Sequence, residues 1–341
     1  MSSAVPVNPS VSVVVPVLND ARRLERCLSS VLRSRGLASR PEVIVVDNGS
    51  VDDSPAVGRA IGARVISAPG VRVADVRNRG AAAATGDVVA FVDADHEQDP
   101  SWLALALETL ALPGVAAVGA AYVAPPDGTW VQRTYDGLRS RPRALQDVPW
   151  LPTGSLAVDR NVFQAVGGFD PSLEACEDVD FCERLRAQGH RLVYDPRLVS
   201  VHHGDPRTLW ALFVGELWRG RDNLRVSLRP PIRLQALPSV VIPVLVLLSL
   251  AFAVAGPLVL PVSRTAAAAP LLLIAAGASA LRAARMWVRL ARRSLVTGVQ
   301  ALAVAIVYEI ARALALVVRA PHSWRRAVAT PAETGRPASS G

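Results

Sequence analysis

The chain has 341 residues, 51% of them hydrophobic, and its 37 basic residues are all arginine, set against 29 acids for a net charge of +8. The basic excess is concentrated after residue 206, beside the apolar segments, which favours anionic lipid headgroups and argues against nucleic acid as a partner. Three cysteines, Cys27, Cys176 and Cys182, with no Cys-x-x-Cys spacing, argue against a disulfide framework or a zinc site and fit a reducing compartment.

Residues 1–9 read as a flexible N-terminus. They have neither a basic stretch nor a long apolar core, so no cleaved secretion signal is expected and the first domain stays in the cytoplasm. Residues 11–18 (VSVVVPVL) form a continuous β-branched run, a buried strand. Residues 20–34 place Leu24, Cys27, Leu28, Val31 and Leu32 at helical spacing. A second strand, 42–46, ends at Asp47, and a helix over 52–62 starts at an aspartate cap. A short strand follows at 64–67, then a helix over 72–84 that contains Arg77 and Asn78. The stretch 87–100, DVVAFVDADHEQDP, opens as a core strand and ends in acids. This alternation predicts a parallel sheet with helices on both faces, whose ligands bind beyond the carboxyl ends of the strands. Asn19, Asp47 and Asp93 all fall at such ends.

A further strand is expected over 115–123, and 125–150, rich in Pro, Gly and Arg, reads as a flexible loop or lid. Order returns over 153–168. A helix over about 177–188 is stopped by Gly189, and a short strand (RLVYD) and VSVHHGDP close the domain. Residues 207–231 mix Trp, Leu and Arg as an interfacial amphipathic segment. Residues 232–320 read as a membrane region of two or three helices, at about 237–261, 265–281 and 295–318. An arginine-rich loop over 282–293 is placed on the cytoplasmic side. Glu309 and Arg312, at i and i+3, are expected to pair on one face of the third helix. The tail, 321–341, is expected to be disordered.

Asp93 and Asp95 point to one side if the strand stays extended, and two carboxylates suit Mg2+ or Mn2+ with substrate phosphates. A solvated turn is the competing reading, and Asp99 is expected to cap the helix that begins at PSWLALAL. In VVDNGSVDD, Asp47, Asn48 and Asp52 can grip a uracil or guanine edge and a ribose. Neither GxGxxG nor GxxxxGKS occurs, which argues against a dinucleotide-binding Rossmann domain and a P-loop NTPase.

Taken in order, VVVPVLND, VVDNGSVDD, VRNRGAAAATGDVVAFVDAD, TGS, VGGFD and EDVDFCERL resemble an inverting family 2 glycosyltransferase of the GT-A fold, over about residues 10–225. The resemblance implies an α/β catalytic domain over 10–206: a Rossmann-like, mixed, mostly parallel sheet with helices on both faces, followed by C-terminal α-helical transmembrane segments. It places Pro16, Asn19, Asp47, Asn48 and Asp52 around the nucleotide, with Arg77 and Asn78 beside it. Asp93 also serves the donor and, with Asp95, holds the metal; His202, or its neighbour His203, meets the metal or the diphosphate. Thr153, Gly154 and Ser155 allow close approach of sugar or acceptor. Glu177 and Asp178 supply the catalytic base, with Asp178 favoured, Glu177 the close competitor and Asp180 third. Arg184 is read as structural, paired with Asp180 at i+4.

The chemistry agrees, because sugar transfer needs a neutralised leaving diphosphate and a base in reach of the acceptor hydroxyl. Processive synthases of this family carry Gln-x-x-Arg-Trp where this chain has Glu216, Trp218 and Arg219, which argues against polymer synthesis. The expected activity is transfer of one sugar, with inversion, from a UDP- or GDP-sugar to a lipid-linked or glycolipid acceptor. The expected location is the bacterial inner membrane, multi-pass, with the catalytic domain cytoplasmic. The rivals are a non-catalytic membrane scaffold, a small transporter component and a nucleotidyltransferase. The last would show a Gly-rich loop with Arg and Lys after its first strand, which is absent here.

Overall fold

In the computed structural model, the β-branched runs build a central sheet, and the chain is described over residues 8–229, 234, 237–259 and 269–319. Nearly all of the expected flexible N-terminus, 1–9, and the expected disordered tail, 321–341, lie outside the described residues. In chain order the first unit contains β1 (Val11–Val17), α1 (Ala21–Leu32), β2 (Glu42–Asp47), α2 (Ser54–Ala60), β3 (Arg64–Ser67), α3 (Val73–Ala83), β4 (Val88–Val92), β5 (His96–Gln98) and α4 (Trp102–Leu110). The chain continues with β6 (Val115–Gly119), α5 (Trp130–Asp136), β7 (Gln146–Asp147), β8 (Ser155–Asp159), α6 (Arg160–Ala165), α7 (Glu177–Ala187), β9 (Arg191–Tyr194) and β10 (Ser200–His202).

The main sheet has the order β3-β2-β1-β4-β8-β6-β9-β7. Its first four strands are parallel, and β8 runs antiparallel between β4 and β6. Of the parallel strands, β1, β2 and β4 are buried on both faces, which is why they read as Val- and Ile-rich runs, whereas β3 at the edge is partly exposed. Pro16, which has no amide proton to donate, lies beyond the last β1–β4 pair, Val14 with Phe91. One face of the sheet is covered by Leu24, Cys27, Leu28 and Val31 of α1 and by Trp102 and Leu103 of α4. The other is covered by α3, α6 and α7, where Phe91, Phe163, Phe169 and Phe181 form an aromatic cluster with ring centroids 4.8–5.4 Å apart. Close packing of α3 on β1 requires Gly80, since a Cβ there would lie 2.3 Å from Val14 Cγ1.

Several expectations change. The strand after 115 stops at Gly119 rather than 123. The 125–150 segment is not a simple flexible loop or lid. It holds α5, with Gln132 and Thr134 buried, and β7, which pairs with β9. Asp136 accepts from Arg139 and Arg141, and Arg139 also grips buried Asp205, so charge fixes a stretch whose composition suggested mobility. Helix α4 takes Ser101 as its N-cap residue; Asp99 acts one turn earlier, accepting from the Ser101 amide at 2.9 Å. A second, two-stranded sheet pairs β5 with β10, antiparallel, setting His96 opposite His202.

The contact pattern places residues 206–341, with 129–131, in a second unit. Its described helices are α8 (Leu209–Arg219), α9 (Asn223–Ser227), α10 (Leu237–Val259), α11 (Ala269–Arg289) and α12 (Leu295–Leu314). Among the described residues, two stretches are long and apolar enough to cross a bilayer, Leu237–Ala255 of α10 and α12. The expected middle span and arginine-rich loop merge, because α11 runs as one helix through Arg282, Arg285 and Arg289. Glu309 pairs with Arg282 of α11 at 2.5 Å and not with Arg312, which reaches Asn223 at 3.2 Å and Glu216 at 4.0 Å. Buried carboxylates in an apolar unit are stabilised only with such partners.

Candidate active site

The strand ends of the first unit carry the candidate residues. At the end of β1, Asn19 adopts φ +52°, and its amide oxygen accepts from the Val51 amide at 2.8 Å. Asp47 accepts from the amides of Gly49 and Ser50, closing the turn after β2, where Gly49 takes φ +86°. Asp52 accepts from Ala21 at the start of α1 and from Ser54 at the start of α2, each at 3.0 Å. Burial works against its charge, but the bonds from Ser54 and Ala21 outweigh it and hold its carboxyl below the usual range. These residues brace the loops after β1 and β2 against one another. Asn48 donates to the Val71 carbonyl at 3.0 Å, which leaves its amide oxygen buried without a hydrogen-bond partner.

The acidic motif is a turn, not an extended strand. The His96 amide donates to the Asp93 carbonyl at 3.0 Å, so the alternation expected to aim both carboxylates at one point is lost. They diverge. Asp93 meets Arg77 Nη2 at 2.7 Å, whereas Asp95 lies 3.3 Å from His202 Nε2. Asp95, His96 and His202 bring one ligand atom each within 4.8 Å of one another. His96 escaped the sequence reading. Its signal was its place directly after the acids, but only the β5–β10 pairing brings it to His202.

The imidazoles are oriented by their other nitrogens. His202 Nδ1 lies 2.6 Å from Asp205 Oδ1, and His96 Nδ1 lies 3.4 Å from Ser200 Oγ. Burial opposes the charged form of His202, but Asp95 and Asp205 outweigh it and push its pKa up to about 10. That proton must leave before Nε2 can ligate a cation. Burial and the neighbouring His202 push His96 down to about 4, leaving it neutral. Desolvation opposes the Asp95 charge, yet His202 holds its carboxyl far below the usual range. Tyr122 packs against both imidazoles, with centroids at 4.6 Å, beneath the Arg139 guanidinium. His203 is engaged elsewhere, between Arg26 at 2.9 Å and Glu97 at 3.0 Å.

The donor set, one carboxylate and two imidazoles, fits a divalent cation. Two glycines let the backbone approach these donor atoms closely. A Cβ at Gly204 would fall 1.7 Å from Asp95 Oδ2, and one at Gly154 would fall 2.9 Å from His96 Nε2. The flanking hydroxyls of Thr153 and Ser155 are buried without hydrogen-bond partners among the described residues.

At the start of α7 the two adjacent carboxylates separate. Glu177, buried, binds Arg77 Nη1 at 2.5 Å. Asp178 is half-buried; burial and then the Glu177 charge push its pKa up to about 7. Asp180 pairs with Arg184 as its i+4 spacing predicts, and Arg184 also donates to the carbonyls of Val166 and Gly168. Asn78 exchanges two hydrogen bonds with the Phe169 backbone, at 2.8 and 2.9 Å, tying α3 to the GGFD loop. Arg77, with its Nε buried and unbonded, links Asp93 to Glu177.

Residues 12–167 match the model of glycosyl transferase family 2. The chain is 35% identical over 216 residues to a pre-mycofactocin glycosyltransferase of Mycobacterium tuberculosis, covering 60% of this chain and 44% of the relative. It is 28% identical over 209 residues to glycosyltransferase AglE of Haloferax volcanii, covering 58% of this chain and 68% of the relative. The chain thus spans less than half the length of the mycobacterial relative. Among solved structures, mannosyltransferase PcManGT from Pyrobaculum calidifontis, in complex with GDP-Man and Mn2+, superposes with a TM-score of 0.54 at 21% identity, covering 88% of this chain and 87% of that one. The family match ends ahead of α7 and β10, so Asp178 and His202 stand on geometry.

Proposed function

The chain carries a family 2 glycosyltransferase domain of the GT-A fold, and from that premise we propose that it transfers a single sugar, with inversion, from a UDP- or GDP-sugar to a lipid-linked or glycolipid acceptor. The observation that carries this reading is the pairing of Asp178, a carboxyl raised to about 7, with a separate Asp95–His96–His202 cluster in the same unit. A base of that proton affinity suits an acceptor hydroxyl near neutral pH. Asp178 takes the hydroxyl proton and the acceptor oxygen bonds to the anomeric carbon. The bond from that carbon to the diphosphate breaks on the opposite side, giving inversion. A bound Mg2+ or Mn2+ would neutralise charge on the departing diphosphate. The two imidazoles favour Mn2+, since Mg2+ prefers oxygen ligands. Glu177 is committed to Arg77, which leaves Asp178 as the base.

The nucleotide reading draws on Asp47, Asn48 and Asp52 at the strand ends, with Pro16 and Asn19 shaping the neighbouring turn. The acceptor reading draws on the second unit. Helices α10 and α12 expose Val241, Leu248, Val254, Val296, Val299 and Ile306, and Trp210, 58% exposed, stacks on Phe213 of α8. Such a surface suits a membrane and its interface, and a multi-pass protein of the bacterial inner membrane with a cytoplasmic catalytic unit fits it.

A donor panel on the detergent-solubilised chain tests the proposal. Nucleoside diphosphate release is followed with Mn2+, with Mg2+ and with EDTA, in the presence of a lipid extract. Release from one UDP- or GDP-sugar that needs the cation, and is lost in Asp178→Asn with nucleotide binding retained, is the expected result. Wild-type turnover in Asp178→Asn removes Asp178 from the base role. Absence of cation-dependent nucleotide binding removes the reading.

A further inference from the structure

Arg77 is 5% exposed, and its guanidinium is divided between two carboxylates from separate parts of the site. Nη2 meets Asp93, 16 residues away in sequence, and Nη1 meets Glu177, 100 residues away. The Asp93 side chain is 33% exposed and open to a ligand, whereas that of Glu177 is 10% exposed. Glu177 is also the first residue of α7, entered through Cys176 at φ +62°, a left-handed conformation that costs a non-glycine residue energy and needs an anchor.

We propose that Arg77 is a positioning residue that couples the donor and acceptor sides: whatever engages Asp93 sets how firmly Arg77 holds Glu177, and so how α7 presents Asp178. The coupling rests on the glycosyl-transfer reading above. One guanidinium shared by two carboxylates does not neutralise either fully. A divalent cation beside Asp95 is attracted by Asp93 only as far as Arg77 leaves that charge uncompensated. When Asp93 turns toward the cation and donor, Arg77 falls to Glu177, and the entry to α7 is pinned harder. The acceptor base is therefore set in place as the donor loads. Binding linkage makes the effect reciprocal, so weakening the hold of Glu177 on Arg77 must weaken cation binding. Glu177 lies outside the Asp95–His96–His202 cluster, so it acts on the cation through bare charge or through Arg77, and a neighbouring carboxylate that does not touch Arg77 separates the two.

The test measures Mn2+ affinity of the full chain in detergent, by loss of the free Mn2+ electron paramagnetic resonance signal, with saturating UDP and separately with GDP. Glu177→Gln is expected to weaken Mn2+ binding about fivefold or more, since Arg77 is then left wholly to Asp93. At pH 8, above the Asp178 value of about 7, Asp178→Asn removes the same charge from the same helix end without touching Arg77 and is expected to change affinity far less. In an Arg77→Met background, adding Glu177→Gln is expected to have no further effect. Thermal midpoints confirm that each variant is folded. If Arg77→Met is not, Arg77→Lys replaces it, because one ammonium lacks the fork that spans both carboxylates. Equal shifts from Glu177→Gln and Asp178→Asn, or a Glu177→Gln effect that survives in the Arg77 variant, overturn the coupling. Failure of the wild-type chain to bind Mn2+ with either nucleotide overturns the donor reading and the coupling with it, and is distinct from binding that is alike in all variants.

Discussion

Asp178 and Glu177 are adjacent carboxylates with opposite circumstances. Glu177 has a buried guanidinium at 2.5 Å, whereas burial and the Glu177 charge raise Asp178 to about 7. The active form of a base is the deprotonated one, so kcat/KM is expected to climb with pH through about 7 and then level off. A profile flat between pH 6 and 8 would exclude Asp178 as the base. Stability runs the other way. A carboxyl whose folded pKa lies above its unfolded value stabilises the fold at low pH and loses that contribution as pH rises through the folded value. Asp178→Asn is therefore expected to raise the thermal midpoint by a few degrees at pH 8, with the gain shrinking as pH falls and vanishing only at about pH 4, the ordinary carboxyl value. Gly204 has an equally local logic. Because a Cβ there would fall 1.7 Å from Asp95 Oδ2, Gly204→Ala is expected to abolish cation-dependent nucleotide binding. Retained Mn2+ affinity in that variant would place the cation elsewhere. These roles were half legible from sequence. Adjacent acids at a helix start mark the motif, but which one is neutralised depends on Arg77, 100 residues away.

Long apolar runs and amphipathic repeats announced β1, β2, β4, α1 and α3 because burial on both faces, or on one stripe, dictates residue type directly. The three-residue strands β5 (His-Glu-Gln) and β10 (Ser-Val-His) left no such signal, being too short for a period and mostly polar. Their pairing is nevertheless what joins His96 to His202. The acids at 93–95 were read as a continuing strand, whereas the chain turns there, and a turn aims side chains by its own geometry. Helix α7 is positioned by packing: Phe181 is fully buried against Phe169, 4.8 Å between centroids, and Phe169 is held through its backbone by Asn78. Phe169→Ala is expected to cost about 3–5 kcal/mol. The thermal midpoint should fall on the order of 10 °C, with transfer lost more than nucleotide binding. Equal loss of both would mean that the cluster supports the sheet as a whole and not α7 in particular.

The apolar content of the chain is divided unequally, and that division separates the two units more sharply than any linker. In the first, Val and Ile are hidden in the sheet; in the second, many large apolar side chains of α10, α11 and α12 are exposed. An exposed apolar surface of that extent is unstable in water and requires a bilayer, detergent or a partner. The arginines of α11 sharpen the question. Arg282 is matched by Glu309 and lies over the Tyr308 ring, an arrangement suited to an interior between helices, while Arg285 is exposed. Two spanning helices with α11 packed along them through the Arg282–Glu309 pair, and its exposed arginines at the headgroups, would satisfy both kinds of residue, because basic side chains reach headgroups while apolar ones stay below. On that arrangement the full chain is expected to remain with membranes through high-salt and alkaline carbonate washes and to be released only by detergent. Peripheral attachment through the arginines and Trp210 alone would give way to salt, since Coulombic attraction to lipid headgroups is screened within about 10 Å at 0.1 M ionic strength. Release by salt would therefore reassign α10 and α12 from spanning helices to a surface-lying or protein-facing pair, and would leave the catalytic unit's chemistry as proposed.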